Sequence, residues 1–166
     1  MGALALLAER HGRAARLVEA RAAAGRAPRL EDALELGTLL QGKAGRAAFP
    51  IREKPSRLDD PAVPPPERLP EALAALGRRL DALAARRPVA LRAACEAHLA
   101  FEEAHPFEDA NGRAGLLLLA WHLLLAERDS AGLGAPRWRL ADREPYLAAV
   151  RDRDVEALAR LAGGSP

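Results

Sequence analysis

The chain of 166 residues has a single cysteine, Cys95, so it carries no disulfide framework, and a chain of this length buries enough surface to need none. Lysine is almost missing: Lys43 and Lys54 are the only two, and the remaining positive charge is arginine. With 25 Lys plus Arg against 23 Asp plus Glu, the net charge is only +2. Aromatic residues make up 4%, as three Phe, two Trp and one Tyr, too few and too scattered to form stacking platforms along a basic stripe. No nucleic-acid partner is expected. The longest apolar run, Leu116 to Trp121, falls far short of the roughly 20 residues a membrane span requires. The first ten residues lack a charged segment ahead of their apolar stretch, so no signal peptide is read and a cytoplasmic location is expected. What remains, 49% hydrophobic residues over this length, is the profile of one globular domain.

The apolar residues recur mainly at helical spacing. Residues 3 to 24 carry Leu4, Leu7, Leu17 and Val18 on one modest stripe, with Gly25 and Pro28 as the stop. A second helix is expected from about Leu30 to Leu40, a third from about Pro70 to Arg86 with Leu73, Leu76, Leu80 and Leu83 on one face, and a fourth opening at Pro88 and ending near His105. The fifth, from about Gly112 to Glu127, is apolar nearly all round, as the central helix of a bundle is. Ser130 to Pro136 reads as a turn region, and two shorter helices near Glu144 to Arg151 and Val155 to Ala162 complete the chain. Only residues 43 to 57 break the texture: Phe49, Ile51 and Glu53 alternate as in an exposed hairpin arm, with Pro50 confining it to an edge. A polyproline-like connection through Pro61, Pro64, Pro65, Pro66 and Pro70 follows. The expected fold is all-α with one short β-hairpin-like flap.

Between the two most apolar helices lies His105-Pro106-Phe107-Glu108-Asp109-Ala110-Asn111-Gly112-Arg113, a polar loop that holds the only Asn of the chain. Backbone N–H groups from Asn111 onward open a helix, where the dipole favours a phosphate. Gly112 lets the backbone approach a ligand closely, and Arg113 offers a charged fork for phosphate oxygens. Asp109 is a hard oxygen ligand suited to Mg²⁺, and His105 titrates near neutrality and accepts a proton from an incoming hydroxyl.

This loop resembles the signature of the Fic/Doc family, His-x-Phe-x-Asp/Glu-Gly/Ala-Asn-Gly/Lys-Arg, complete through Arg113. The resemblance extends over roughly residues 30 to 162: the helix leading into His-Pro-Phe, Gly45-Arg46 before the alternating stretch, Pro-Pro-Pro before a leucine helix, and the last two helices. It implies a Fic-type helical bundle over 30–166, with 1–29 as an N-terminal helix packed on it. It further implies an enzyme that binds ATP and Mg²⁺ and transfers AMP to a Ser, Thr or Tyr hydroxyl of a target protein. By the motif, His105 is the general base, Asp109 the Mg²⁺ ligand, Asn111 and Gly112 the binders of the transferred phosphate, and Arg113 the clamp on its neighbours. Phe107 is then a core anchor, and Phe49, Ile51 and Glu53 belong to a flap that holds the target's backbone by β-augmentation.

Two departures bear on this implication. AMP-transferring members continue Gly-Arg-x-x-Arg, and here the second Arg position is Leu116, which together with Ala110 looks more like the Doc branch that transfers the γ-phosphate. A nucleotide-binding protein with little catalysis is the remaining alternative. The inhibitory Ser/Thr-x-x-x-Glu-Gly/Asn string of many relatives is absent, so restraint is expected from a separate, antitoxin-like chain. Elsewhere the residues read as scaffold: His98 as a hydrogen-bonded core histidine rather than a metal ligand with Glu102, His11 and His122 as structural or exposed, Cys95 as a small core hydrophobe, and Glu102 and Glu103 as a solvated acidic cluster. Glu108 stands second to Asp109 for the metal.

Overall fold

The computed structural model describes residues 3–43, 49–56, 58, 60–129 and 143–163. Among them the regular structure is helical throughout, in α1 (Ala3–Ala23), α2 (Leu30–Leu40), α3 (Leu69–Ala84), α4 (Leu91–Ala104), α5 (Asn111–Asp129), α6 (Arg143–Arg151) and α7 (Val155–Gly163). A short 3-10 turn at Pro66–Arg68 leads into α3. The all-α expectation holds.

Because α5 is apolar on nearly every face, it is the helix that can be surrounded, and α1, α2 and α4 pack on it. Leu118, Leu119, Trp121 and Leu125 are fully buried there. In α3 the leucines at 69, 73, 76, 80 and 83 form one buried row facing α4, each contributing roughly 1.5–3 kcal/mol on burial. α4 also supports α7, against which α6 folds back.

The first helix joins the core differently from the expected stripe. Leu7 is 40% exposed and Leu17 half-buried, whereas Ala14, Val18 and Ala22 form the buried row. Small side chains at four-residue spacing bring α1 close to its neighbours, which larger leucines would hold off. The α1–α2 corner is closed by the buried Asp32, whose carboxylate accepts hydrogen bonds from Arg21 at 2.8 Å, Arg26 at 2.5 Å and the Arg29 backbone N–H at 2.9 Å. Trp121 of α5 then donates to the Arg26 carbonyl at 2.7 Å and ties the corner to the central helix.

Two expectations are corrected here. Pro88 does not open α4; it stands in the preceding bend, and Ala90 caps the helix in extended conformation (φ −66, ψ 138) because the chain first turns inward to bury Val89. The hairpin-like arm at Phe49, Ile51 and Glu53 is no strand among the described residues. Pro50 has no N–H to give, and the Ile51 N–H turns back to the Phe49 carbonyl at 2.9 Å, which closes the chain on itself instead of on a ladder partner. Gly45-Arg46 and the Ser130–Pro136 turn lie outside the described residues.

Candidate active site

α4 ends where His105 adopts a left-handed conformation, φ 44 and ψ 56, while its N–H still bonds the Phe101 carbonyl at 3.0 Å. Pro106 follows and cannot continue the helix. The loop then drops Phe107 into the core, fully buried, with its ring against Gly37 of α2: a Cβ at Gly37 would lie 2.0 Å from that ring. Ala110, at φ 74, turns the chain into α5.

Asn111 holds this loop shut. Its side chain is buried, with Oδ1 accepting the Phe107 N–H at 2.9 Å and Nδ2 donating to the Phe107 carbonyl at 2.7 Å. The first intrahelical bond of α5 runs from the Ala114 N–H to the Ala110 carbonyl, so the amides of Asn111, Gly112 and Arg113 precede it and face out of the helix end. Gly112 is exposed, and a Cβ built on it would meet nothing within 4 Å. Its backbone is thus uncovered where an anion is favoured.

His105 and Gly112 line one cleft of about 660 Å³. Leu99, Val63, Tyr146 and Leu147 make its apolar wall, and Arg153 stands among its polar residues. Asp109 and Arg113 are joined to each other by a 3.0 Å ion pair, with the Asp109 side chain 78% exposed. Among the described residues no three His, Cys, Asp or Glu are grouped to hold a metal ion. Exposed Asp109, with exposed Glu108 beside it, next to amides that favour phosphate fits Mg²⁺, which is held by one or two carboxylates together with substrate phosphates. Phe49, Ile51 and Glu53 are exposed on the arm, and Leu116 is half-buried one turn into α5 from Gly112.

The imidazole of His105 is half-buried, with Nδ1 buried and making no well-formed hydrogen bond. Burial first, then the neighbouring Arg52 charge, hold its pKa below the ordinary value, while the Glu102 carbonyl and the Asp60 carboxylate pull it upward. The net effect favours the neutral imidazole, the form able to accept a proton.

Beneath the cleft His98 is fully buried and its Nε2 lies 3.1 Å from the Tyr146 hydroxyl, which agrees with its reading as a hydrogen-bonded core histidine. Cys95 is buried as expected. Glu102 differs from the expected solvated carboxylate: only 11% of its side chain is exposed, and Oε1, 4.0 Å from His98 Nε2, has no hydrogen-bond partner. Burial pushes its pKa up to about 7. Glu103 is also engaged, accepting from Arg153 at 2.6 Å, while Arg153 reaches Asp60 at 3.2 Å. This three-residue bridge joins α4, the α6–α7 turn and the proline-rich connection at the rim of the cleft.

Sequence reasoning passed over Arg52, Asp60, Tyr146 and Arg153. No local pattern marks any of them, since their partners lie far along the chain; only the four-residue step from His98 to Glu102 hinted that the two share a helix face. Among the described residues no helix is long and apolar enough to cross a membrane. A family model described as Fic/DOC family matches residues 28–123. No curated protein matches the chain.

Proposed function

The chain belongs to the Fic/DOC family, and from that premise we propose that it is a cytoplasmic protein adenylyltransferase, transferring AMP from ATP to a Ser, Thr or Tyr hydroxyl of a target protein. The observation that carries this reading is the shared cleft: the imidazole of His105 and the uncovered amide end of α5 at Gly112 face one space. That shared space supports a reading in which a proton acceptor and an anion site act on the same substrate.

In the proposed reaction the amides at the start of α5 hold the α-phosphate, and Arg113, released from Asp109, holds the phosphates beside it. Asp109 would hold Mg²⁺, which supplies charge neutralisation on the phosphates when bound. The target hydroxyl oxygen forms a bond to the α-phosphorus, the bond to the pyrophosphate oxygen breaks, and the hydroxyl proton passes to His105. Pyrophosphate leaves. The exposed arm at Phe49, Ile51 and Glu53 supports a target-binding role, and a separate antitoxin-like chain supplies restraint.

Leu116 favours a second reading. It offers no charge to the far end of the triphosphate, so a reversed nucleotide would present its γ-phosphate to His105, and the product would be a phosphorylated target. ATP labelled separately at the α- and γ-phosphates, incubated with Mg²⁺, a bacterial lysate and either wild type or His105→Ala, decides between them. His105-dependent α-label is the expected result; His105-dependent γ-label establishes the kinase; absence of both with a folded protein overturns transfer altogether.

A further inference from the structure

Arg52 is 3% exposed, yet among the described residues it has no carboxylate partner. It is bonded instead to carbonyl oxygens: Nε to His105 at 2.7 Å, one terminal nitrogen to Pro64 at 2.5 Å and more weakly to Ala104 at 3.5 Å, and the other to Lys54 at 3.3 Å. Its own backbone N–H bonds the Pro106 carbonyl at 2.8 Å. Arg52 therefore grips both sides of the residue at which α4 turns left-handed, a conformation that is unfavourable for a non-glycine residue and persists only where surroundings enforce it. Neutral carbonyls leave the guanidinium charge uncancelled, and that charge lies against His105.

We propose that Arg52 is the positioning residue of this site, its guanidinium setting the direction of the His105 imidazole from behind and standing as a fixed positive charge beside it. The inference rests on the reading of His105 as the proton acceptor. A planar fork suits the task, because several carbonyls that diverge from one turn are met at once by donors in fixed directions. The other charged groups around His105 are Asp60 of the connection, Glu102 and Glu103 of α4, Arg151 at the end of α6 and Arg153 in the α6–α7 turn, all of which line the same cleft. Arg153 is already bound by Glu103 and Asp60, and Arg151 by Asp152, which leaves Arg52 as the cation acting on His105 from the loop side.

The test follows the His105 imidazole by NMR titration in the full chain, with the signal assigned through His105→Gln. Arg52→Met removes charge and fork together, and the His105 titration should move to higher pH. Arg52→Lys keeps the charge, and the titration should stay near the wild-type position. In both variants kcat for label transfer from ATP should fall, by on the order of tenfold to a hundredfold, with KM for ATP unchanged. A folded Arg52→Met protein in which His105 titrates as in wild type overturns the inference, and so does wild-type kcat in either variant. If Arg52→Met does not fold, Arg52→Lys decides alone through kcat at constant KM; if no transfer is found, the titration decides alone. His105→Ala that still transfers label would instead sink the proton-acceptor reading, a separate failure.

Discussion

Asn111 is the residue whose type matters most to the loop, because one amide side chain meets both polar groups of the Phe107 backbone. In Asn111→Ala that buried N–H and C=O lose their partners, at a cost of about 3 kcal/mol, read as a lower midpoint in urea denaturation. Asn111→Asp should fail too, since its second oxygen faces the Phe107 carbonyl with no proton to offer. The Asp109–Arg113 pair makes a different prediction. With the two charges joined at 3.0 Å, Arg113 is occupied by Asp109, and on the proposed reading Mg²⁺ would draw Asp109 away. Asp109→Asn should bind ATP more tightly than wild type in the absence of Mg²⁺, by calorimetry, and yet lose transfer by on the order of a hundredfold when Mg²⁺ is present.

Between elements, two glycines mark where a neighbour enters, and their substitutions should differ. Gly37 of α2 accommodates the Phe107 ring, a rigid body fully buried in the core. Gly37→Ala should cost about 1–3 kcal/mol and shift the loop, and Phe107→Leu should relieve part of that cost in a double-mutant cycle. At Gly115 of α5 an added Cβ would lie 2.1 Å from Glu102 Oε1 and 3.1 Å from both His98 and Phe101. The nearest obstacle there is the end of a rotatable side chain, so Gly115→Ala should destabilise less than Gly37→Ala. A reversed order in thermal denaturation would mean that Glu102 is held as firmly as the Phe107 ring.

The molecule as a whole carries buried titratable groups of opposite effect. Burial holds His98 and His122 down at about 4, so the unfolded chain takes protons near 6.5 that the native one refuses. The stability they confer is present above about 6.5 and is lost as pH falls toward 4. Glu102, raised to about 7, works in the other direction: its contribution is full below the ordinary 4.5 and is lost as pH rises through 7. Two groups outweigh one between these limits, so Tm should fall on acidification from about pH 6.5 to 4.5. Glu102→Gln should steepen that fall. Both ring nitrogens of His122 are buried without a partner, and His122→Leu should flatten the pH dependence and add about 1 kcal/mol at neutral pH.

Helix order and the site loop were legible because both are local. Leucines at three- and four-residue steps define a face wherever the helix sits, and His105 to Arg113 are consecutive residues whose helix-opening amides follow from the chain itself. The alternation at Phe49 to Glu53 misleads for the complementary reason: alternation describes a strand only when a partner strand exists, and tertiary structure supplies none among the described residues. Whether Glu102 faced water or the core depended on where α5 came to lie, and Gly115 is what admits it. Arg52 reaches the carbonyl of His105 across 53 residues of sequence, and Arg153 reaches Asp60 across 93. Contacts of that separation leave no periodic trace, since any buried donor takes the carbonyls that folding brings to it. The sequence by itself determined which groups are candidates for the chemistry, because they are consecutive in the chain; packing alone decided which way His105 is turned and which charge stands beside it.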